Sequence, residues 1–126
     1  MAKKEEIQIE FELHCSPRIL FNYLHTPSGL SEWFADDVTY TDGIYTFKWT
    51  ESESRAKIVH KRDNKLVRFK WLDEGEDDFF EFKIVTDDLT SDVALIITDF
   101  ADPDNQDEVE LLWETQIQEL KQIIGA

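Results

Sequence analysis

One cysteine, Cys15, stands in a chain of 126 residues, so no disulfide can form within it. Basic residues are scarce as well: 13 Lys and Arg against 28 Asp and Glu leave a formal charge of −15. A field of that sign repels phosphate backbones and anionic headgroups, which argues against nucleic acid and membrane surfaces as partners. No apolar run approaches the roughly 18 residues that a membrane span needs. The opening Met1-Ala2-Lys3-Lys4-Glu5-Glu6 carries lysines but no apolar core behind them, unlike a signal peptide. A cytoplasmic location without membrane insertion is the expectation.

Chemical signatures are also missing. There is no glycine-rich phosphate loop and no G-x-S-x-G elbow. His14, His25 and His60 are isolated from one another, and Cys15 beside His14 points to the opposite strand face. No metal site, cofactor or catalytic constellation is therefore expected. The adjacent pairs Asp36-Asp37, Asp77-Asp78 and Asp87-Asp88 read as solvated turns, since acid–base work needs carboxylates held in a cleft.

What is present is apolar and aromatic. Apolar residues make up 41% of the chain, enough to bury a real core, and the length fits one domain over residues 1–126. Ile7, Ile9, Phe11 and Leu13 alternate with Gln8, Glu10, Glu12 and His14, the pattern of a half-buried strand. Ser16 and Pro17 then supply an N-cap and first helical residue, and Leu20, Phe21 and Leu24 form one helical stripe. Thr26-Pro27-Ser28-Gly29 interrupts that helix, both Pro27 and Gly29 opposing continuation, and Leu30, Trp33 and Phe34 give the face of a second.

Beyond Asp37 the period becomes two. Strands are expected at 38–40, 44–49, 56–60, 66–71, 79–85 and 93–100. Asp42-Gly43, Arg62-Asp63-Asn64, the acidic loop 73–78 and Asp87-Asp88-Leu89 mark the turns, and short strands so joined read as an antiparallel meander. Helical spacing then returns: Val109, Leu112, Trp113, Ile117, Leu120 and Ile124 form one stripe. Asp102-Pro103 or Asp104 would cap the start of that helix and Gly125 would stop it.

The order of these motifs resembles a known superfamily. Ser16-Pro17-x-x-Leu20-Phe21-x-x-Leu24, then Thr26-Pro27 and Leu30-x-x-Trp33-Phe34, is similar to the opening of START-like (SRPBCC) helix-grip proteins. Asp42-Gly43-x-Tyr45-x-Phe47-x-Trp49 and Leu66-x-x-Phe69-x-Trp71 extend the likeness, most of all to the activator of heat-shock protein 90 ATPase homologue-like (AHSA-like) branch. The hairpin keeps one glycine, Gly43, where relatives are glycine-rich, and the polar loop 101–107 lacks their glycine-rich segment. The resemblance implies an α+β helix-grip fold: a curved antiparallel sheet of about six to seven strands around a long C-terminal helix, with two short helices after the first strand. It further implies a cavity for lipids, sterols, polyketides or other apolar molecules, or a space that small members fill with side chains.

Candidate binding residues follow from that frame. Trp33, Phe34, Trp49, Trp71 and Trp113 are large rings, and Tyr45, Phe47 and Trp49 on one sheet face would stand opposite Trp113 and Ile117. Either these rings line a cavity or they fill a solid core. His60, following Ala56 and Ile58, and Asp99, following Leu95 and Ile97, are the polar residues placed to point inward and orient a ligand. The leading expectation is a noncatalytic module binding a small apolar ligand. The alternative is a protein-interaction or co-chaperone-like module whose acidic surface docks a basic partner or chaperone. A cyclase-like enzyme would have to draw its acid or base from His60, Asp99 and Tyr45.

Overall fold

Alternation along the chain becomes seven strands in a computed structural model that describes residues 4–72 and 78–125. They are β1 (Glu5–Leu13), β2 (Asp37–Thr41), β3 (Ile44–Trp49), β4 (Ser52–Arg62), β5 (Leu66–Trp71), β6 (Phe79–Thr86) and β7 (Val93–Ala101). Between β1 and β2 run two short helices, α1 (Pro17–His25) and α2 (Pro27–Trp33), and after β7 comes α3 (Gln106–Ile124). Residues 1–3 of the opening segment and most of the acidic loop 73–78, Asp77 included, lie outside the described residues.

All seven strands form one antiparallel sheet in the order β1-β7-β6-β5-β4-β3-β2. Each strand from β2 to β6 pairs with the next along the chain, and β1 closes the other edge by pairing with β7 from Glu5↔Ala101 to Leu13↔Val93. Asp42 (φ 53°) and Gly43 (φ 83°) both take positive φ, the requirement of a two-residue hairpin turn between Thr41 and Ile44. This is an α+β helix-grip fold, with α1, α2 and α3 on the sheet's inner face.

Local chemistry sets the helices as well. Ser16 accepts the Ile19 amide at 3.2 Å, and Thr26 accepts that of Gly29 at 3.0 Å, so each short helix has a side-chain cap followed by proline. Gly29 serves packing rather than breaking. It is helical, and a Cβ there would overlap the Asn22 carbonyl and stand 2.7 Å from Tyr23 Cα. The start of α3 differs from expectation: Pro103–Asn105 forms a single 3₁₀ turn, and Asn105 precedes the helix without a side-chain cap bond. Gly125 ends α3 in the left-handed conformation, as its position suggested.

The interior is filled by rings. Phe47, Phe69, Phe80 and Phe82 are fully buried, joined by Trp33, Phe34, Tyr45 and Trp113. Small residues make this possible: Ser54 and Ala56 of β4 stand between the rings of β3 and β5 in the register Phe47↔Ser54 and Tyr45↔Ala56↔Trp71. Phe47 therefore reaches Phe69 (6.0 Å between centroids) and Trp71 (5.9 Å) over the strand between them. On α3, Trp113, Ile117 and Leu120 are buried, but Leu112 is 58% exposed. At 3.6 residues per turn it lies about 100° from Trp113, off the line through Ile117 and Leu120. Among the described residues no helix is long and apolar enough to cross a membrane.

Candidate functional site

Where α2 ends, its last carbonyls need partners. The Phe34 carbonyl is met twice, by the Trp49 indole N–H at 2.9 Å and the Gln116 amide at 3.1 Å. One helix end thereby ties β3 to α3. The end of α1 is treated in the same way: Trp33 donates to the Tyr23 carbonyl at 2.7 Å and Tyr45 to that of His25 at 2.8 Å. The polar edges of three aromatic side chains are thus spent on helix termini. Sequence patterning counts rings and does not register this use.

Above the Phe34 anchor lies a cleft of about 380 Å³ between α3 and the ends of β3, β4 and β5. Phe34, Trp49, Trp71 and Trp113 give it ring walls, Leu112 and Gln116 form its helical rim, and Asp99 of β7 supplies the one carboxylate among the described residues. Phe34 stacks on Trp113 (5.8 Å, 21°) and meets Trp49 edge-on at 5.7 Å. Unlike the core rings, Trp49 and Trp71 are only half-buried. Ser52 is the residue paired with Trp49 across the hairpin, and its small side chain leaves the cleft open there.

Asp99 is held firmly. Its carboxylate accepts the Trp113 indole N–H at 2.9 Å and the Phe100 amide at 2.8 Å. Burial nevertheless pushes its pKa above the ordinary carboxylate value, against the pull of those two donors and of Lys4. Behind it, a second depression of about 140 Å³ contains Lys4 and Asp78, which are paired at 3.1 Å. Asp78 is thus a half-buried ion-pair partner rather than a solvated turn residue.

The expected site residues divide into three groups. Trp49, Trp71, Asp99, Trp113 and Phe34 come together at the cleft. Trp33, Tyr45, Phe47 and Ile117 are buried in the ring-filled core. His60 is on the opposite side of the sheet. The register slips between Ile58↔Phe69 and His60↔Arg68, so Val59 is an extra residue and the alternation from Ala56 and Ile58 does not carry on to His60. His60 lies exposed among Arg62, Lys65 and Lys83. Tyr45, His60 and Asp99 are consequently not assembled into one acid–base site.

Two further placements bear on chemistry. Cys15 is half-buried against the core, and burial raises its thiol pKa. Glu12, His14 and Asp92 are exposed, yet their ligating atoms lie within 4.8 Å of one another. Spacing could not reveal that trio, because Asp92 arrives at the end of β1 only through the pairing with β7.

Comparison with known proteins agrees with the fold. A family model described as the START-like superfamily domain matches residues 1–126. BfR322 from Bacteroides fragilis is 39% identical, with 98% of this chain and 93% of that one aligned at a TM-score of 0.69. The Aha1 dimer structure from Colwellia psychrerythraea is 17% identical over 93% of each chain, TM-score 0.78. CalU16 from Micromonospora echinospora is 15% identical over 96% of this chain and 74% of that one, TM-score 0.73. The last two likenesses concern the fold alone. No protein with a curated description matches the sequence. The match along its whole length, with the sheet and terminal helix described above, makes this chain a member of the START-like superfamily.

Proposed function

We propose that this START-like domain is a noncatalytic binding module that takes a small apolar molecule in the cleft of Phe34, Trp49, Trp71 and Trp113. One observation carries the reading: Trp49 and Trp71 stay half-exposed around about 380 Å³ of space, while the neighbouring rings Phe47, Phe69 and Phe80 are fully buried. That volume falls in the range of small-molecule sites, which combine apolar walls with a few fixed polar groups. Covering some 200 Å² of apolar ligand surface would contribute about 5 kcal/mol before entropy costs. The ring-filled interior favours a compact ligand held at the sheet's end over a long lipid threaded through the core. A binding role without turnover is supported by Asp99 being the sole ionisable group lining the cleft among the described residues.

The test is an amide- and indole-resolved NMR titration with fatty acids, sterols and aromatic polyketides. Saturable shifts of the Trp49, Trp71 and Trp113 indoles are the expected result. Saturable shifts that leave those three indoles unmoved, or none from any compound, would overturn the assignment of this cleft.

A second reading rests on the outward side of α3. Leu111 (62% exposed) and Leu112 (58%) stand there beside acidic Glu108, Glu110 and Glu114. A basic protein partner with an apolar centre would fit that side, and binding that weakens steeply with salt would support it.

A further inference from the structure

The ligand's charge can be read from the same cleft, and this step rests on the binding role just proposed. Four aromatic walls surround a site whose sole ionisable lining group, among the described residues, is the Asp99 carboxylate. Its two oxygens each hold one protein donor, Trp113 Nε1 at 2.9 Å and the Phe100 amide at 2.8 Å. A carboxylate offers about four lone-pair positions, so accepting capacity remains on both oxygens. Lys4, a cation whose charge acts on Asp99, stands in the adjoining depression and is paired with Asp78 at 3.1 Å. The whole molecule adds a formal charge of −15. Fatty acids, phosphates and other anions would therefore meet like charge with no compensating cation lining the cleft among the described residues.

We infer that the cleft selects a compact organic cation, an alkylated or aromatic amine, whose apolar body packs on Trp49, Trp71, Trp113 and Phe34 while its ammonium lies against Asp99. Aromatic rings attract ammonium groups through the negative face of the π-system, and quaternary ammonium ligands are commonly held by such cages. Of the other polar groups, the Trp49 indole N–H and one Gln116 N–H already donate to the Phe34 carbonyl. The second Gln116 N–H and the Ser52 hydroxyl are neutral donors and bring no charge to offset that of an anion.

Three probes of nearly one shape and different charge test it: choline, 3,3-dimethyl-1-butanol and 3,3-dimethylbutanoate. Each is titrated into the full chain while the indole resonances are followed. Choline is expected to bind at least tenfold tighter than the alcohol, and the carboxylate not measurably. Asp99→Asn removes the charge while keeping one acceptor, and should reduce choline's advantage over the alcohol about tenfold. The ranking on the unaltered protein stands without that variant, should the variant misfold. If the alcohol shifts the same indoles as well as choline does, or the carboxylate binds, charge selection is wrong and the apolar cleft remains. If none of the three moves the indoles, the inference fails, and the apolar panel alone decides the binding role.

Discussion

Single residues carry much of the constraint here, and two of them make sharp predictions. Gly29 sits where α2 passes over the end of α1, with Asn22, Tyr23 and Thr26 occupying the space a Cβ would need. Those neighbours are mostly backbone, which cannot swing aside. Gly29→Ala should therefore destabilise by about 1–3 kcal/mol despite alanine's better helix propensity, measured by urea unfolding. An unchanged midpoint would mean the two helices separate without cost. Asp99 makes a pH prediction. Its folded pKa is raised by burial, so folding favours the protonated acid. Stability linked to this group is complete below the unfolded carboxylate range and is lost as pH rises through the folded value. Asp99→Asn loses one of the two acceptors, a pH-independent offset, but should gain on the parent in thermal unfolding as pH rises from the acid range to neutral. A parent that gains on the variant as pH rises would show the indole and amide donors outweighing desolvation.

At the level of elements, what the sequence displays depends on whether neighbours along the chain or across the sheet decide the outcome. β1, the capped helices and the Asp42-Gly43 turn are set by nearest neighbours, and their places were legible from alternation, Ser16-Pro17 and Thr26-Pro27. The ring-rich strands were legible too, with β4 the exception: it runs from Ser52 to Arg62, well beyond the expected 56–60. Its Ser52, Glu53, Ser54 and Arg55 lack apolar alternation because the inner positions must be small. The bulge at Val59, which turns His60 to the outer face, follows from pairing with β5 and has no local signature. Likewise Asp99 and the rings of the cleft were visible as candidates, but their separation from the core rings Tyr45 and Phe47 required the register of three strands. The inner strip of β4 yields a prediction of its own. Ala56 is fully buried between Tyr45 and Trp71, so Ala56→Leu would drive those rings apart and cost about 1–3 kcal/mol. The same substitution at Lys57, which faces outward, should leave the midpoint of denaturation nearly unchanged. Equal effects at both positions would contradict the packing described for β4.

Across the whole molecule, charge is separated rather than mixed. Glu6, Glu10 and Glu12 face outward from β1, and Asp107, Glu108, Glu110, Glu114 and Glu119 follow on α3. Lys57, Lys61, Arg62, Lys65, Arg68 and Lys70 instead collect on the β4–β5 hairpin. In the order β1-β7-β6-β5-β4 the acidic edge strand and the basic hairpin are three to four strand steps apart, about 14–19 Å at a spacing near 4.8 Å. The Debye length at 0.15 M salt is only about 8 Å, so the basic hairpin does little to offset the acidic edge under such conditions. With a formal charge of −15, repulsion among the acids outweighs attraction, and partly exposed ion pairs such as Lys4–Asp78 offset little of it. Raising sodium chloride from about 0.01 M to about 1 M shortens the screening length from about 30 Å to about 3 Å and should raise the melting temperature. Two substitutions separate this from a generic salt effect. Glu12→Gln, beside Asp92 and His14, should raise the melting temperature at low salt, and Lys61→Gln should lower it. Both differences should fade at high salt, with a chelator present throughout so that no metal held by Glu12, His14 and Asp92 confuses the comparison. A melting temperature that falls as salt is added would instead place the balance with attractive pairs such as Arg68–Glu81 at 2.9 Å.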